Sequence, residues 1–206
     1  MGVSVGVEKA AAGIAAVLIA AQGAYAVAKG PSSLLRPPGA QGEADFMARC
    51  IKCGKCQQAC PYQAIQIAGV GEGSAAGTPF IDARRQACRM CEDFPCVNVC
   101  PTQALRDVVT RADVNMGYAV INENTCIAFK GMRCEVCYRV CPLIDRAITV
   151  QFGSLEGDSI HAQFAPTINR ETCTGCGLCV ERCVISDPAV PIRIVSVAEQ
   201  EAKGSK

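Results

Sequence analysis

Cys50-Ile-Lys-Cys53-Gly-Lys-Cys56-Gln-Gln-Ala-Cys60-Pro61 places four thiols within eleven residues, spaced C-x2-C-x2-C-x3-C-P. Three thiols this close can converge on one centre. This is the spacing of the bacterial ferredoxin loop, in which three cysteines wrap one [4Fe–4S] cluster and the fourth reaches a second. The theme recurs three times. The second quartet is Cys88-x2-Cys91-x4-Cys96-x3-Cys100-Pro101. The third is Cys126-x7-Cys134-x2-Cys137-x3-Cys141-Pro142, its first gap enlarged. The fourth is Cys173-x2-Cys176-x2-Cys179-x3-Cys183, with Val184 where the others have proline.

Sixteen cysteines could also mean a disulfide framework or structural zinc. Four similar quartets have no purpose in a set of disulfides. Zinc sites usually draw two close pairs from separate loops, whereas here three ligands come from one short loop. No quartet lacks a cysteine. The expectation is therefore four [4Fe–4S] clusters held by all sixteen cysteines, no three-iron site and no iron left open to a substrate. Half the residues are apolar, but only 5% are aromatic and none is Trp, so the iron–sulfur cubes are expected to supply bulk that rings usually supply. The net charge of +1, from 20 basic and 19 acidic residues, makes no case for nucleic-acid binding.

Residues 10–28 are uncharged and rich in alanine, long enough to just span a bilayer core. Small-x-small steps at Ala24-Tyr25-Ala26 and Ala26-Val27-Ala28 suit a cleavage site. Residues 1–30 are read as a signal or anchor segment and 31–206 as the cluster-binding region. Prolines keep Leu34–Ala40 extended. Short helices are expected over Glu43–Ala48 and Ala104–Val114. Short strands are expected at Ala64–Ile67, Phe80–Asp82, Tyr118–Ile121, Ala147–Gln151, Thr167–Asn169 and Pro191–Val197, with residues 152–166 as a hairpin or loop. The recurring unit is strand, cysteine loop, short helix, strand or helix: an α+β fold of tandem, nested bacterial-ferredoxin-like domains around four clusters.

Other chemistry is thin. Gly69–Pro79 contains G-x-G-x-x-A, but Gly77 and Pro79 break the helix a dinucleotide site needs. His161 reads as a surface histidine. Glu92-Asp93 and Arg84-Arg85 read as solvated charges, or else as docking contacts. Gly54, Gly175 and Gly177 are read as letting backbone pack close to a cube, or as simple turn glycines. Two cubes that exchange a ligand lie close enough to pass an electron.

Leu34-Leu-Arg-Pro-Pro-Gly-Ala40, Met90-Cys-Glu-Asp-Phe-Pro-Cys96, Gly131-Met-Arg-Cys-Glu-Val-Cys-Tyr-Arg-Val-Cys-Pro142 and Thr172-Cys-Thr-Gly-Cys-Gly177 resemble the MauM/NapG ferredoxin-type family. The resemblance covers residues 34 to about 197. It implies a periplasmic iron–sulfur protein at the membrane periphery, passing electrons from a NapH-like quinol-oxidising membrane partner towards periplasmic nitrate reductase, and not catalytic alone. Related readings are methylamine oxidation or a subunit of another molybdenum oxidoreductase. A maturation factor with structural clusters is the reading from another class. The resemblance also implies a twin-arginine export signal. Residues 1–9 hold no arginine, so the true start is expected upstream. By analogy with four-cluster subunits, quartets one and four would share one lobe (45–70 with 165–197) and quartets two and three the other (80–150). Cys183 would then join Cys50, Cys53 and Cys56, and Cys60 would join Cys173, Cys176 and Cys179. Cys141 would join Cys88, Cys91 and Cys96, and Cys100 would join Cys126, Cys134 and Cys137.

Overall fold

The computed structural model describes residues 33–154, 157 and 162–204. The segment read as a signal or anchor and His161 lie outside these residues. Among the described residues, no helix is long and apolar enough to cross a membrane.

A helix of little more than one turn follows or carries the later cysteines of each quartet. These are α2 (Lys55–Ala59), α3 (Pro95–Asn98), α4 (Val136–Arg139) and α5 (Leu178–Arg182). The residue before a proline is pushed out of the helical region, and Cys60 before Pro61 has ψ 109°. Cys183 ends α5 in the same way, at ψ 128°, with Val184 after it. Proline is therefore not what stops the last helix. Helices this short have no stability of their own, so packing must hold them.

A longer helix, α1 (Glu43–Arg49), leads into the first loop. Strand β1 (Ile65–Ile67) pairs antiparallel with β2 (Pro79–Ile81), setting Ile65 opposite Ile81. Both are buried. Strand β3 (Gly117–Ile121) pairs antiparallel with β6 (Ile192–Ser196). Strand β4 (Ile148–Ser154) pairs antiparallel with β5 (Ala162–Ile168), setting Ile148 opposite Ile168. Helix α6 (Val197–Gly204) closes the described chain and returns to α1, where Glu43 N–H donates to Glu201 Oε2 at 3.0 Å.

Helix α2 packs on α3, and α4 on α5. The lobes are thus built from neighbours in the chain, quartets one and two in the first and three and four in the second. The expected nesting of 45–70 with 165–197, around 80–150, is not what forms. The physical reason is local. The β1–β2 pair folds the chain back directly after the first loop, and β4–β5 does so after the third. Each short connection returns a second loop against the first at small closure cost.

The expected helix over Ala104–Val114 is also absent. Ala104 and Leu105 are buried against Phe46, Arg106 N–H donates to Gly39 O, and Asp107 takes a positive φ of 59° that no α-helix admits. A single 3₁₀ turn, Arg111–Asp113, remains, with a reciprocal Thr110–Asp113 capping box.

The lobes share a core. Ile65, Ile81, Cys88, Met90, Phe94 and Cys96 of the first pack with Met116 and Cys176 of the second. Among the described residues, the largest fully buried side chains include one aromatic, Phe46, alongside Met90, Thr78, Pro37 and Pro38. That scarcity suits an interior filled by something other than side chains. The extended strap Leu34–Ala40 is buried from Leu35 to Gly39 and crosses both lobes. Ile81 N–H donates to Leu35 O, and Ser196 Oγ donates to Ser33 O.

Arg36 anchors this strap. Its guanidinium donates to Glu43, Thr78 Oγ1 and Pro79 O, and lies 4.8 Å from the centre of the Phe46 ring. Both ends of the Arg36–Glu43 pair are largely buried. Removing one partner of such a pair leaves an uncompensated charge, at about 3–5 kcal/mol. Glu43→Ala is therefore expected to lower the unfolding free energy of the loaded protein by that order, read from denaturant melts, whereas Asp45→Ala, at solvent-exposed pairs with Arg49 and Arg106, is expected to change it far less.

Candidate iron–sulfur sites

Cysteine side chains line four cavities, three with four thiols and one with five, because Cys137 borders two of them. Site I is lined by Cys50, Cys53, Cys56 and Cys100. Site II is lined by Cys60, Cys88, Cys91 and Cys96, and site III by Cys141, Cys173, Cys176 and Cys179. Site IV is lined by Cys126, Cys134, Cys137 and Cys183. All sixteen expected residues are brought into these groups. Each loop keeps three of its cysteines and lends its fourth, as expected, but to the adjacent loop. Cys100, not Cys183, completes the first loop's set; Cys60, not Cys141, completes the second's. Cys183 completes the third's and Cys141 the fourth's.

The exchange follows from helix geometry. Cys56 and Cys60, Cys96 and Cys100, Cys137 and Cys141, and Cys179 and Cys183 are each four residues apart. Such residues stand on one face, about 6 Å apart along the axis. One helical turn thus presents thiols to two centres. With α2 against α3, the two loans run in opposite directions and close sites I and II together. The pair α4 and α5 does the same for III and IV.

The loops themselves depend on positive φ. The residue before the second cysteine takes it in three of them: Lys52 at 57°, Met90 at 54° and Gly175 at 70°. Only the last is glycine, which is why the motif alone does not reveal the position. Gly175 has a second reason to be glycine. A Cβ there would lie 2.8 Å from the Gly117 backbone. At Gly177, φ 85°, a Cβ would lie 2.5 Å from Ala83 Cβ of the other lobe. These two glycines therefore serve chain-to-chain packing, while a Cβ at Gly54 meets no protein atom within 4 Å.

The residues fit polynuclear iron–sulfur groups. The cavities measure about 400 Å³ at site IV, 390 Å³ at site III and 360 Å³ at sites I and II, mouths included. Apart from the cysteines, mainly apolar groups line them. Among the described residues no three Cys, His, Asp or Glu side chains converge closely enough for a single metal ion; the sulfurs instead stand around a space. Backbone amides add donors to sulfur: Ala64 N–H to Cys60 Sγ and Ala119 N–H to Cys173 Sγ, both at 3.4 Å. Such bonds are one lever on cluster potential.

Burial pushes the thiols up, Cys56 and Cys176 to about 11 and Cys88, Cys96 and Cys137 to about 12, with neighbouring sulfurs adding to it. Cys100 moves down although its burial opposes this, because amide donors from Leu105 and its neighbours and the Thr102 hydroxyl outweigh burial. A buried thiol that holds its proton at neutral pH must trade it for iron.

The sites form a succession. Cys56 packs with both the Cys88/Cys96 cluster of site II and the Cys50/Cys100 groups of site I. Cys88 N–H of site II donates to Cys176 O of site III at 3.0 Å. Cys137 lines both III and IV. The spatial order is I, II, III, IV, with the lobe boundary crossed between II and III.

That boundary is clamped by charges. Arg84 Nη1 donates to the carbonyls of Val180, Glu181 and Cys183, capping α5 from the other lobe. Glu181 accepts from Ala87 N–H and Arg89 Nη2, each at 2.7 Å. Burial raises the Glu181 carboxyl, but these donors outweigh it and hold it below the ordinary value. Arg84, though exposed as a solvated charge would be, is thus also tied to three carbonyls of the other lobe. Glu92, by contrast, is 89% exposed and, among the described residues, pairs with Arg111 at 3.6 Å. The Gly69–Pro79 loop holds 3₁₀ turns broken at Gly73.

Two outcomes test the grouping and its chemistry. Cys100→Ala is expected to disturb the cluster of the Cys50–Cys56 loop, and Cys183→Ala that of the Cys126–Cys137 loop, each read as loss of about four irons and one paramagnetic signal. Loading at pH 7 should release protons, and acidification of the loaded chain should strip iron. The metal-free fold should behave oppositely: raised thiols stabilise it fully below pH 9.0, and that contribution is lost as the pH climbs towards 12. Thermal unfolding against pH checks the sign.

Comparison with known proteins places the sites in a family context. The 4Fe-4S dicluster domain family matches residues 49–104, the span of quartets one and two. The 4Fe-4S binding domain family matches residues 166–183. The chain is 43% identical over 197 residues to the ferredoxin-type protein NapG of Escherichia coli (strain K12), covering 95% of this chain and 85% of that one. It is 41% identical over 186 residues to the methylamine utilization ferredoxin-type protein MauM of Methylorubrum extorquens, covering 88% and 83%. The ferredoxin-type protein NapF of Escherichia coli is 25% identical over 156 residues, 75% of this chain and 83% of that one. No solved structure matches this chain.

Proposed function

The chain belongs to the NapG and MauM ferredoxin-type family, and from that premise we propose that it holds four [4Fe–4S] clusters, one per cavity, and relays electrons along them. The proposed direction is from a quinol-oxidising membrane partner of the NapH kind towards periplasmic nitrate reductase, at the periplasmic face of the membrane. One observation carries the relay: four cysteine-lined cavities follow one another without a gap, neighbours sharing a helix, a backbone hydrogen bond or a cysteine. Clusters so held supply one-electron carriers. The protein's own contribution is to fix their spacing, exclude water and aim amides at sulfur. With every thiol of a cavity engaged, no coordination position is left for a substrate, so the chain is a component of a quinol dehydrogenase and not catalytic by itself.

The MauM likeness supports a second reading, in which the same relay serves methylamine oxidation. The two differ in the terminal partner and not in the chain's chemistry.

Anaerobically purified protein should carry about sixteen irons, a broad visible absorbance that bleaches on reduction, and reoxidation by a nitrate-reductase electron acceptor. About eight irons or fewer would contradict one cluster per cavity. Clusters that stay redox-silent would favour a maturation factor instead.

A further inference from the structure

The ends of the succession differ. Cys53, in site I, is the one exposed cysteine of the sixteen. Around it stand Ile51, 62% exposed, and two exposed lysines, Lys52 and Lys55, that also line the cavity. Neither lysine has a carboxylate partner among the described residues. Lys52 Nζ donates to the carbonyls of Ser74 and Ala76, which fixes its position and leaves its charge uncancelled. The nearby carboxylate of Asp45 is shared by Arg49 and Arg106. The mouth of site I is therefore net basic around an apolar residue. At the other end, site IV is lined by Ile121, Ile127, Val184 and Ile185 with no charged group, and Val184 is 59% exposed. One end of the succession is marked by cations and the other by aliphatic side chains.

We infer that the site I mouth, Ile51, Lys52, Cys53 and Lys55, is a docking surface for an electron-transfer protein with an acidic face. This rests on the relay reading above. The argument is one of chemistry and position. An exposed ligand thiol marks where the terminal carrier comes nearest to the outside. Uncompensated lysines around it attract and orient an anionic surface, and steer its approach. Ile51 supplies the apolar contact that a short-lived redox interface keeps at its centre. A lipid surface would be drawn by the same lysines, but it has no use for an exposed cysteine between them.

The test uses the full loaded chain and two probes. Ferricyanide, an anionic oxidant, is expected to reoxidise the dithionite-reduced protein at a rate that falls with ionic strength. Lys55→Glu should slow it about three- to tenfold, with Lys55→Gln between, while cationic cobalt hexaammine is accelerated by Lys55→Glu. Zero-length carbodiimide coupling to an acidic [2Fe–2S] ferredoxin should place the cross-links on Lys52 and Lys55. Unchanged rates in variants with full iron content and normal spectra would overturn the docking surface while leaving the relay intact. So would cross-links confined to other lysines. Lys55-dependent sedimentation with phosphatidylglycerol vesicles, without ferredoxin cross-links, would assign the patch to a membrane and overturn the inference. Loss of iron from the unsubstituted chain would instead count against the relay itself.

Discussion

Everything in this structure depends on one turn of helix serving two centres. A cysteine and its partner four residues on share a face but not a height. When two such helices pack, neither loop's set of thiols is complete without the other. Each lobe is then held by the joint geometry of its two cysteine loops, on helices too short to persist alone. This also explains the modest core. Phe46, Met90 and Phe94 are among few large groups inside, and the thiols themselves occupy positions a conventional fold would give to aliphatic residues.

The lobes do not merely adjoin. Several contacts specify their boundary: the Cys88 N–H that donates to Cys176 O, the Arg84 cap on α5, the Glu181 acceptor, and the close approach of Gly177 to Ala83. These contacts fix the loop of Cys88 to Cys96 against the loop of Cys173 to Cys179. The strap Leu34–Ala40, with Arg36 buried beneath it, reinforces the same junction from outside.

Much of this was legible in the residues. The quartets gave every thiol of the four sites, the alternation of Ile65 and Ile67 gave β1, and the prolines of Leu34–Ala40 gave an extended strap. Partner choice was not legible, because a fourth cysteine lent outward has the same spacing whichever loop receives it. Only the hairpins that return the chain after loops one and three decide between the loops. The helix expected at Ala104–Val114 failed because Leu105 is claimed by Phe46 and Asp107 takes a left-handed conformation, a tertiary demand that overrides local propensity. Lys52 and Met90 hold positive φ without being glycine, and so gave no signal. Arg84 looked like half of a surface pair because its carbonyl partners lie nearly a hundred residues away.

The central claim is that adjacent loops exchange their fourth thiols to build four centres in the order I, II, III, IV. An anaerobic crystal structure with anomalous scattering measured at the iron edge tests it most directly. Four compact iron peaks in that order are expected, with Cys100 on the centre of the first loop and Cys60 on that of the second. Fewer peaks, or Cys183 on the first loop's centre, would contradict it.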